Sequence, residues 1–258
     1  MVRVLPLGSG SSGNATLVAF GTTTVLVDAG LSARELTLRL EGAGVAPASL
    51  AAILLSHEHH DHARGLPRFA AKHRVPVFTT PEALAALNLA PRHLPAWHPL
   101  EPGVRFEAYG VAVDPFAVPH DAANPVGFVL SAAGVRVGIA TDLGHATTLV
   151  VERLRGCHVV MVEANHDDGM LLQGPYPWAL KQRIGGRLGH LSNDEAAALL
   201  AEVVDDDCQA VVLAHLSESN NTGSLARAAV STALARAGRT RYDMRVAARC
   251  AATPVVEI

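Results

Sequence analysis

The sequence predicts an α/β fold in which the strands of stacked sheets carry polar side chains to one common edge. Three observations lead there. Short runs of strand length, rich in β-branched residues, recur along the 258 residues, and several end in His, Asp or Glu. Capped stretches of helical character alternate with them. Apolar residues make up 49% of the chain, enough for a sizeable core, and a sheet-rich sandwich of this length commonly forms one domain, so residues 1–258 are read as a single domain.

The elements follow in order. A strand at residues 4–7 leads into the loop Gly8-Ser9-Gly10-Ser11-Ser12-Gly13-Asn14, a second strand turns at Gly21, and a third, Val25-Leu26-Val27, ends in Asp28. Ser32-x-x-Glu35 is a capping-box signature that opens a helix. An apolar run at 51–55 then delivers His57-Glu58-His59-His60-Asp61-His62. A helix over 66–73, a strand at 75–78 and a helix begun by Thr80-Pro81-Glu82 complete the first half. In the second half, the runs 111–118, 135–140, 159–162 and 209–214 end in Pro119-His120-Asp121, Thr141-Asp142, Glu163 and His215. Ser192-x-x-Glu195 caps a helix to about Val204, and a last helix at about 225–237 precedes a strand around Met244.

The hexapeptide at 57–62 packs four of the thirteen histidines and two carboxylates behind an apolar strand. Neutral imidazole and carboxylate are preferred donors for zinc, manganese and iron, so a strand ending there can aim several donors into one small volume. The bland alternative is a solvated polar loop, against which four histidines alternating with acids weigh heavily. A catalytic metal pair needs more donors than six residues supply. His120, Asp142 and His215, at the ends of other runs, can supply them.

Composition bounds the remaining classes. A net charge of −3 does not advertise a nucleic-acid binder, so any basic footprint must be local. The excess of arginine over lysine suits phosphate contacts, but genome base composition is its simpler cause. No apolar run approaches the roughly 18 residues of a spanning helix, and the apolar residues 4–7 are too few for a signal peptide. Cys157, Cys208 and Cys250 are odd in number and far apart, as expected of reduced thiols in a cytoplasmic protein without a membrane partner. Oligomeric state is not encoded legibly.

The ordered set Asp28, His57-x-His59-x-Asp61-His62, His120, Asp142 and His215 resembles the metallo-β-lactamase superfamily. The Gly8–Asn14 loop, Thr141-Asp142-Leu143-Gly144-His145, Glu163-Ala164-Asn165-His166-Asp167, Pro175-Tyr176-Pro177 and Gly189-His190-Leu191-Ser192-Asn193 look like its YycJ/WalJ branch, and together these blocks span residues 4–221. The resemblance implies a four-layer αβ/βα sandwich with two divalent metal ions at one edge of the paired sheets. Zinc and manganese suit the donors, and iron is also admitted. By the superfamily pattern His57, His59 and His120 hold one ion, Asp61, His62 and His215 the other, and Asp142 bridges them. Ions about 3.5 to 4 Å apart can share a hydroxide of pKa near about 7, the implied nucleophile. Asp28 takes the place of a carboxylate that orients the cluster; a turn cap before Gly30 is its other reading.

In related tRNA-processing nucleases a glutamate partners a histidine that serves the leaving oxygen, and Glu163 and His190 occupy similar places. Both are therefore expected to be catalytic, with Asp61 counted beside them as well as among the ligands; alternatively, His190 simply lies at the entry of the Ser192 helix. Between Gly174 and His190, Tyr176, Trp178, Lys181, Arg183 and Arg187 stand without an acid, as candidate contacts for phosphates and bases. A proline-rich turn with buried aromatics is the competing reading. Ser217, Asn220 and Asn221 are further candidates, as are His145 and His166, while His60 is expected to point outward and His73, His93, His98 and His158 to be ordinary. The branch implies nucleic-acid phosphodiester hydrolysis, and specifically a 5′ to 3′ DNA exonuclease. The rivals are a small-molecule hydrolase, such as a cyclic phosphodiesterase or thioesterase, and a noncatalytic metal-binding regulator, which the full set of donors disfavours.

Overall fold

The computed structural model describes residues 1–249 and 251–258; Cys250 lies outside them. The chain divides into two compact units, one of Met1–Pro115, Ala122–Val126 and Ala248–Ile258, the other of Phe116–Asp121 and Gly127–Ala247.

In the first unit β1 (Val2–Gly8), β2 (Ala15–Phe20) and β3 (Thr23–Val27) form an antiparallel meander. Gly21 closes the β2–β3 turn at φ 59°, a left-handed conformation that glycine adopts without steric cost. After α1 (Ala33–Gly42), β4 (Ala52–Leu54) pairs parallel with β3. Then follow α2 (His60–Ala63), α3 (Leu66–His73), β5 (Val77–Thr79), α4 (Pro81–Ala86) and β6 (Trp97–Pro99), with β4, β5 and β6 also parallel. The hexapeptide therefore leaves from the carboxyl end of a central parallel strand. Every residue of β2 and β4 is buried, which is why these strands read as continuous apolar runs rather than as alternations. Leu36 and Leu40 of α1 and Leu66 and Phe69 of α3 close over Leu26, Ile53 and Val77, each such burial contributing about 1.5–3 kcal/mol. At α1, Ser32 Oγ accepts the Glu35 N–H at 3.2 Å, but the Glu35 carboxylate turns to Arg39 at 2.7 Å, so only half of the capping box forms. β7 (Phe106–Ala108) and the start of β8 (Val111–Ala117) make a hairpin.

The second unit contains β9 (Val126–Ala132) and β10 (Val135–Ala140), joined by the left-handed pair Ala133 and Gly134. They are followed by α5 (Thr148–Leu154), β11 (Val159–Glu163), α6 (Asp168–Gln173), α7 (Trp178–Ile184), α8 (Asn193–Val203), β12 (Ala210–Ala214), α9 (Gly223–Arg236) and β13 (Asp243–Val246). The strand order is β13-β12-β11-β10-β9-β8, and β10 to β13 run parallel. Asp142, Glu163 and His215 thus emerge at the same end of three adjacent strands. Leu199 and Leu200 of α8 and Val230 and Leu234 of α9 bury their side chains with Val160, Val162 and Leu213. The Ser192–Glu195 capping box is complete, at 3.3 and 2.9 Å. Thr222 caps α9 through the Leu225 N–H, so that helix starts two residues before the expected position.

β14 (Val256–Glu257) returns to pair with β1, giving the first sheet the order β14-β1-β2-β3-β4-β5-β6. Cys157 and Cys208 are free and buried, and burial pushes their thiols up to about 11 and about 12. No described helix is long and apolar enough to cross a membrane.

Candidate metal centre

In the first unit the cluster is organised by one serine and one aspartate. Asp28, just past β3, is held in the left-handed region at φ 62° and is buried. Its Oδ1 accepts the Ser56 N–H at 2.8 Å, and its Oδ2 lies 3.0 Å from Ser56 Oγ and 2.8 Å from His62 Nδ1. A hydroxyl has one proton: given to Asp28, it leaves Ser56 Oγ to accept from His57 Nδ1 at 2.9 Å. Both imidazoles thereby carry their ring proton on Nδ1 and present an unprotonated Nε2, the tautomer that can ligate a metal. The His57 ring stands 4.8 Å from that of His59 and 4.1 Å from that of His62. Asn14 ties the glycine loop to this cluster: its N–H donates to Asp61 O at 2.7 Å and its Nδ2 to Asp61 Oδ2 at 3.2 Å, 2.9 Å from His62 Nε2. The approach is so close that a Cβ on Gly30 would fall 1.6 Å from the Asp61 carbonyl oxygen. His60 is exposed.

In the second unit His120 donates from Nδ1 to Gly189 O at 3.1 Å, which makes Nε2 the ring atom that could ligate a metal. Asp142 and His215 follow β10 and β12 at φ 59° and 52°. Non-glycine residues seldom adopt this conformation, and their side chains swing off the strand axis as a result. Asp142 Oδ1 lies 3.4 Å from His215 Nε2 and 4.0 Å from His120 Nε2. Asn165 donates from Nδ2 to His215 O at 2.9 Å and also touches its Nδ1. Glu163 is fully buried at the end of β11: Oε1 accepts the Leu143 and Leu191 N–H groups at 2.8 and 3.0 Å, and Oε2 faces His190 Nδ1 at 3.0 Å. Ligand atoms of Asp142, Glu163, His190 and His215 all lie within 4.8 Å of one another. Burial pushes the Glu163 carboxyl upward, but the charge and hydrogen bond of His190 outweigh it and bring it down to about 2. Burial likewise opposes protonation of His190, and the Glu163 charge overrides it, raising the His190 pKa.

The donor set fits divalent ions. Ligands bonded at about 2.1 Å to a tetrahedral ion lie about 3.4 Å from one another, the separation found between Asp142 Oδ1 and His215 Nε2. Buried imidazoles with Nδ1 tethered and Nε2 directed elsewhere are the usual preparation for metal binding.

The expected substrate segment is helical rather than a plain turn. Tyr176 is half-buried and Trp178 is 62% exposed. Lys181 donates to Leu172 O at 2.6 Å, Arg183 pairs with Asp121 at 2.7 Å, and Arg187 lies 3.2 Å from His145. Asn221 exchanges hydrogen bonds with Asn193 and donates to Ala164 O, Asn220 is buried, and Ser217 Oγ accepts the Asn220 N–H. His166 is also buried, and burial lowers its pKa. Sequence reasoning did not single out Asn14, Ser56 or Asn165. Asn14 and Asn165 sit in blocks it had marked, but Ser56 carries no signal beyond its place beside His57.

The model of the "Beta-lactamase superfamily domain" matches residues 23–216. The chain is 34% identical to "Exodeoxyribonuclease YycJ" of Bacillus anthracis over 90% of its own length and 89% of that protein. It is 32% identical to "Exodeoxyribonuclease WalJ" of Streptococcus pneumoniae over 90% and 87%. Among solved structures, the metallo-β-lactamase fold protein YhfI of Bacillus subtilis superposes over the whole of both chains with a TM-score of 0.76 at 16% identity, a likeness of fold. The chain, with its two mixed sheets and their helices, has the metallo-β-lactamase fold and belongs to the YycJ/WalJ family of the β-lactamase superfamily.

Proposed function

We propose that this chain is a metal-dependent phosphodiesterase that degrades DNA from the 5′ end. The observation that carries the reading is the pair of buried Glu163 and half-buried His190 beside Asp142, in a chain akin along most of its length to proteins named exodeoxyribonucleases. Two divalent ions, zinc or manganese, would be held by His57, His59 and His120, by Asp61, His62 and His215, and by Asp142 shared between them, the two units then acting as one domain. When bound, such ions polarise a phosphoryl oxygen and lower the pKa of a coordinated water.

The chain's own residues supply the rest. Asp28 and Ser56 hold the His57 and His62 rings in the ligating tautomer. Glu163 keeps His190 protonated, so that Nε2–H can deliver a proton to the departing alkoxide, a contribution of about 10² to 10⁴ in rate. Asp61 orients the cluster from the ligand side. Tyr176, Lys181, Arg183 and Arg187 would steady the strand next to His190, with Ser217, Asn220 and Asn221 bracing the loop after His215. The buried thiols accord with a cytoplasmic setting.

Duplex DNA labelled at either the 5′ or the 3′ end, incubated with manganese- or zinc-loaded protein, tests this reading. Progressive mononucleotide release from the 5′ label, lost in Asp142→Ala, is the expected result. Intact DNA with both metals would overturn it.

A further inference from the structure

We infer that the exposed cations of α3 and its flanks, Arg64, Arg68, Lys72 and Arg74, with Arg92 and His93, form a track for the phosphate backbone of a polynucleotide that leads away from the hexapeptide; this rests on the polynucleotide reading above. Arg64, Arg68 and Lys72 recur every four residues and are all exposed, while Leu66, Phe69 and Ala70 are buried. Arg64 and Gly65 both keep right-handed helical angles, so the helical path is nearly continuous from α2 into α3. At 1.5 Å per residue the three cations are about 6 Å apart, and the ridge from Arg64 to Arg74 is about 15 Å long. It begins two residues beyond His62. None of Arg64, Arg68, Lys72, Arg74 or Arg92 has a carboxylate within 4 Å among the described residues, so the ridge is not neutralised internally.

The ridge ends in an open groove of about 680 Å³ where Arg74, Arg92, His93 and Tyr109 stand over a proline and alanine floor without a single acid. His93 Nδ1 accepts the Ala90 N–H at 3.0 Å, which places the ring proton on Nε2 and makes that atom a donor. Arg74 closes α3 in the left-handed conformation at φ 57°. Cationic and N–H donors with no carboxylate among them match an anion, and the repetition of cations along about 15 Å matches a polyanion. One strand of a duplex carries a charge per about 3.4 Å of axis, so the ridge passes about four phosphates. The net charge of −3 hides this footprint in the whole-chain total.

The test is the triple variant Arg68→Glu, Lys72→Glu, Arg92→Glu, compared with the neutral Arg68→Gln, Lys72→Gln, Arg92→Gln, by fluorescence anisotropy on duplex DNA over a salt series. Each phosphate contact contributes about −0.9 to the slope of log K against log salt, so both variants should flatten it by about 3. The KM for a long duplex should rise at least about tenfold, while turnover of bis(p-nitrophenyl) phosphate, too small to reach the ridge, stays unchanged. A slope that neither variant alters, or wild-type protein that does not bind duplex, overturns the track. Wild type that binds with the steep slope but cleaves neither compound would instead overturn the catalytic reading and leave the track standing.

Discussion

The imidazoles of His57 and His62 owe their direction to an oxygen on Nδ1, and Asp28 reaches that role only through a backbone conformation few aspartates adopt. Asp28→Ala should therefore leave His62 free to rotate and weaken metal affinity about 10- to 100-fold, read by competition with a chromophoric chelator; unchanged affinity would reduce Asp28 to a turn cap. Glu163 and His190 make a pH prediction. A raised His190 pKa means that the protonated acid persists below that pKa and is lost as pH rises through it, which gives the rate profile its alkaline limb. Glu163→Gln removes the charge that raises it, so the limb should move to lower pH, while His190→Ala should lose about 10² to 10⁴ in kcat with both metals retained. A limb that stays in place would dissociate Glu163 from proton transfer. Residue identities and order pointed to these groups, because strand-terminal His, Asp and Glu are visible in one dimension. Ser56, Asn14 and the α2–α3 ridge were not, since their roles depend on which hydrogen bonds a fold closes and which helix face it buries.

At the level of elements, parallel strands gather the candidate donors within each unit: β4 in one, and β10, β11 and β12 in the other, release them at carboxyl ends. Caps marked α1 and α8 in the sequence, while the Thr222 cap of α9 was not singled out. Ser192 and Glu195 form both bonds of their box, and Ser192→Ala should cost about 1 kcal/mol of stability in urea unfolding. Short elements escaped the sequence because three-residue strands such as β6 and β7 have no room to display a period, and because α5 and α6, though capped by Thr147 and Asp167, are only seven and six residues long, while α7 has no side-chain cap. Gly30 is an element-level constraint as well. Gly30→Ala would drive a methyl into the Asp61 carbonyl, and the expected outcome is loss of metal binding together with a lowered Tm.

For the molecule as a whole, each unit has its own apolar core and its own set of candidate donors. The family membership and the order of the candidate donors were legible from the sequence because these residues stand at strand ends over nearly the whole chain. Metal binding to the native state alone would stabilise the chain by mass action, so chelation should lower Tm and added manganese or zinc should restore it. Anomalous diffraction at the metal absorption edges of the loaded protein would locate the ions themselves. Two peaks about 3.5 to 4 Å apart with Asp142 between them are expected; a single peak, or two held by separate ligand sets without Asp142, would contradict a shared dinuclear centre.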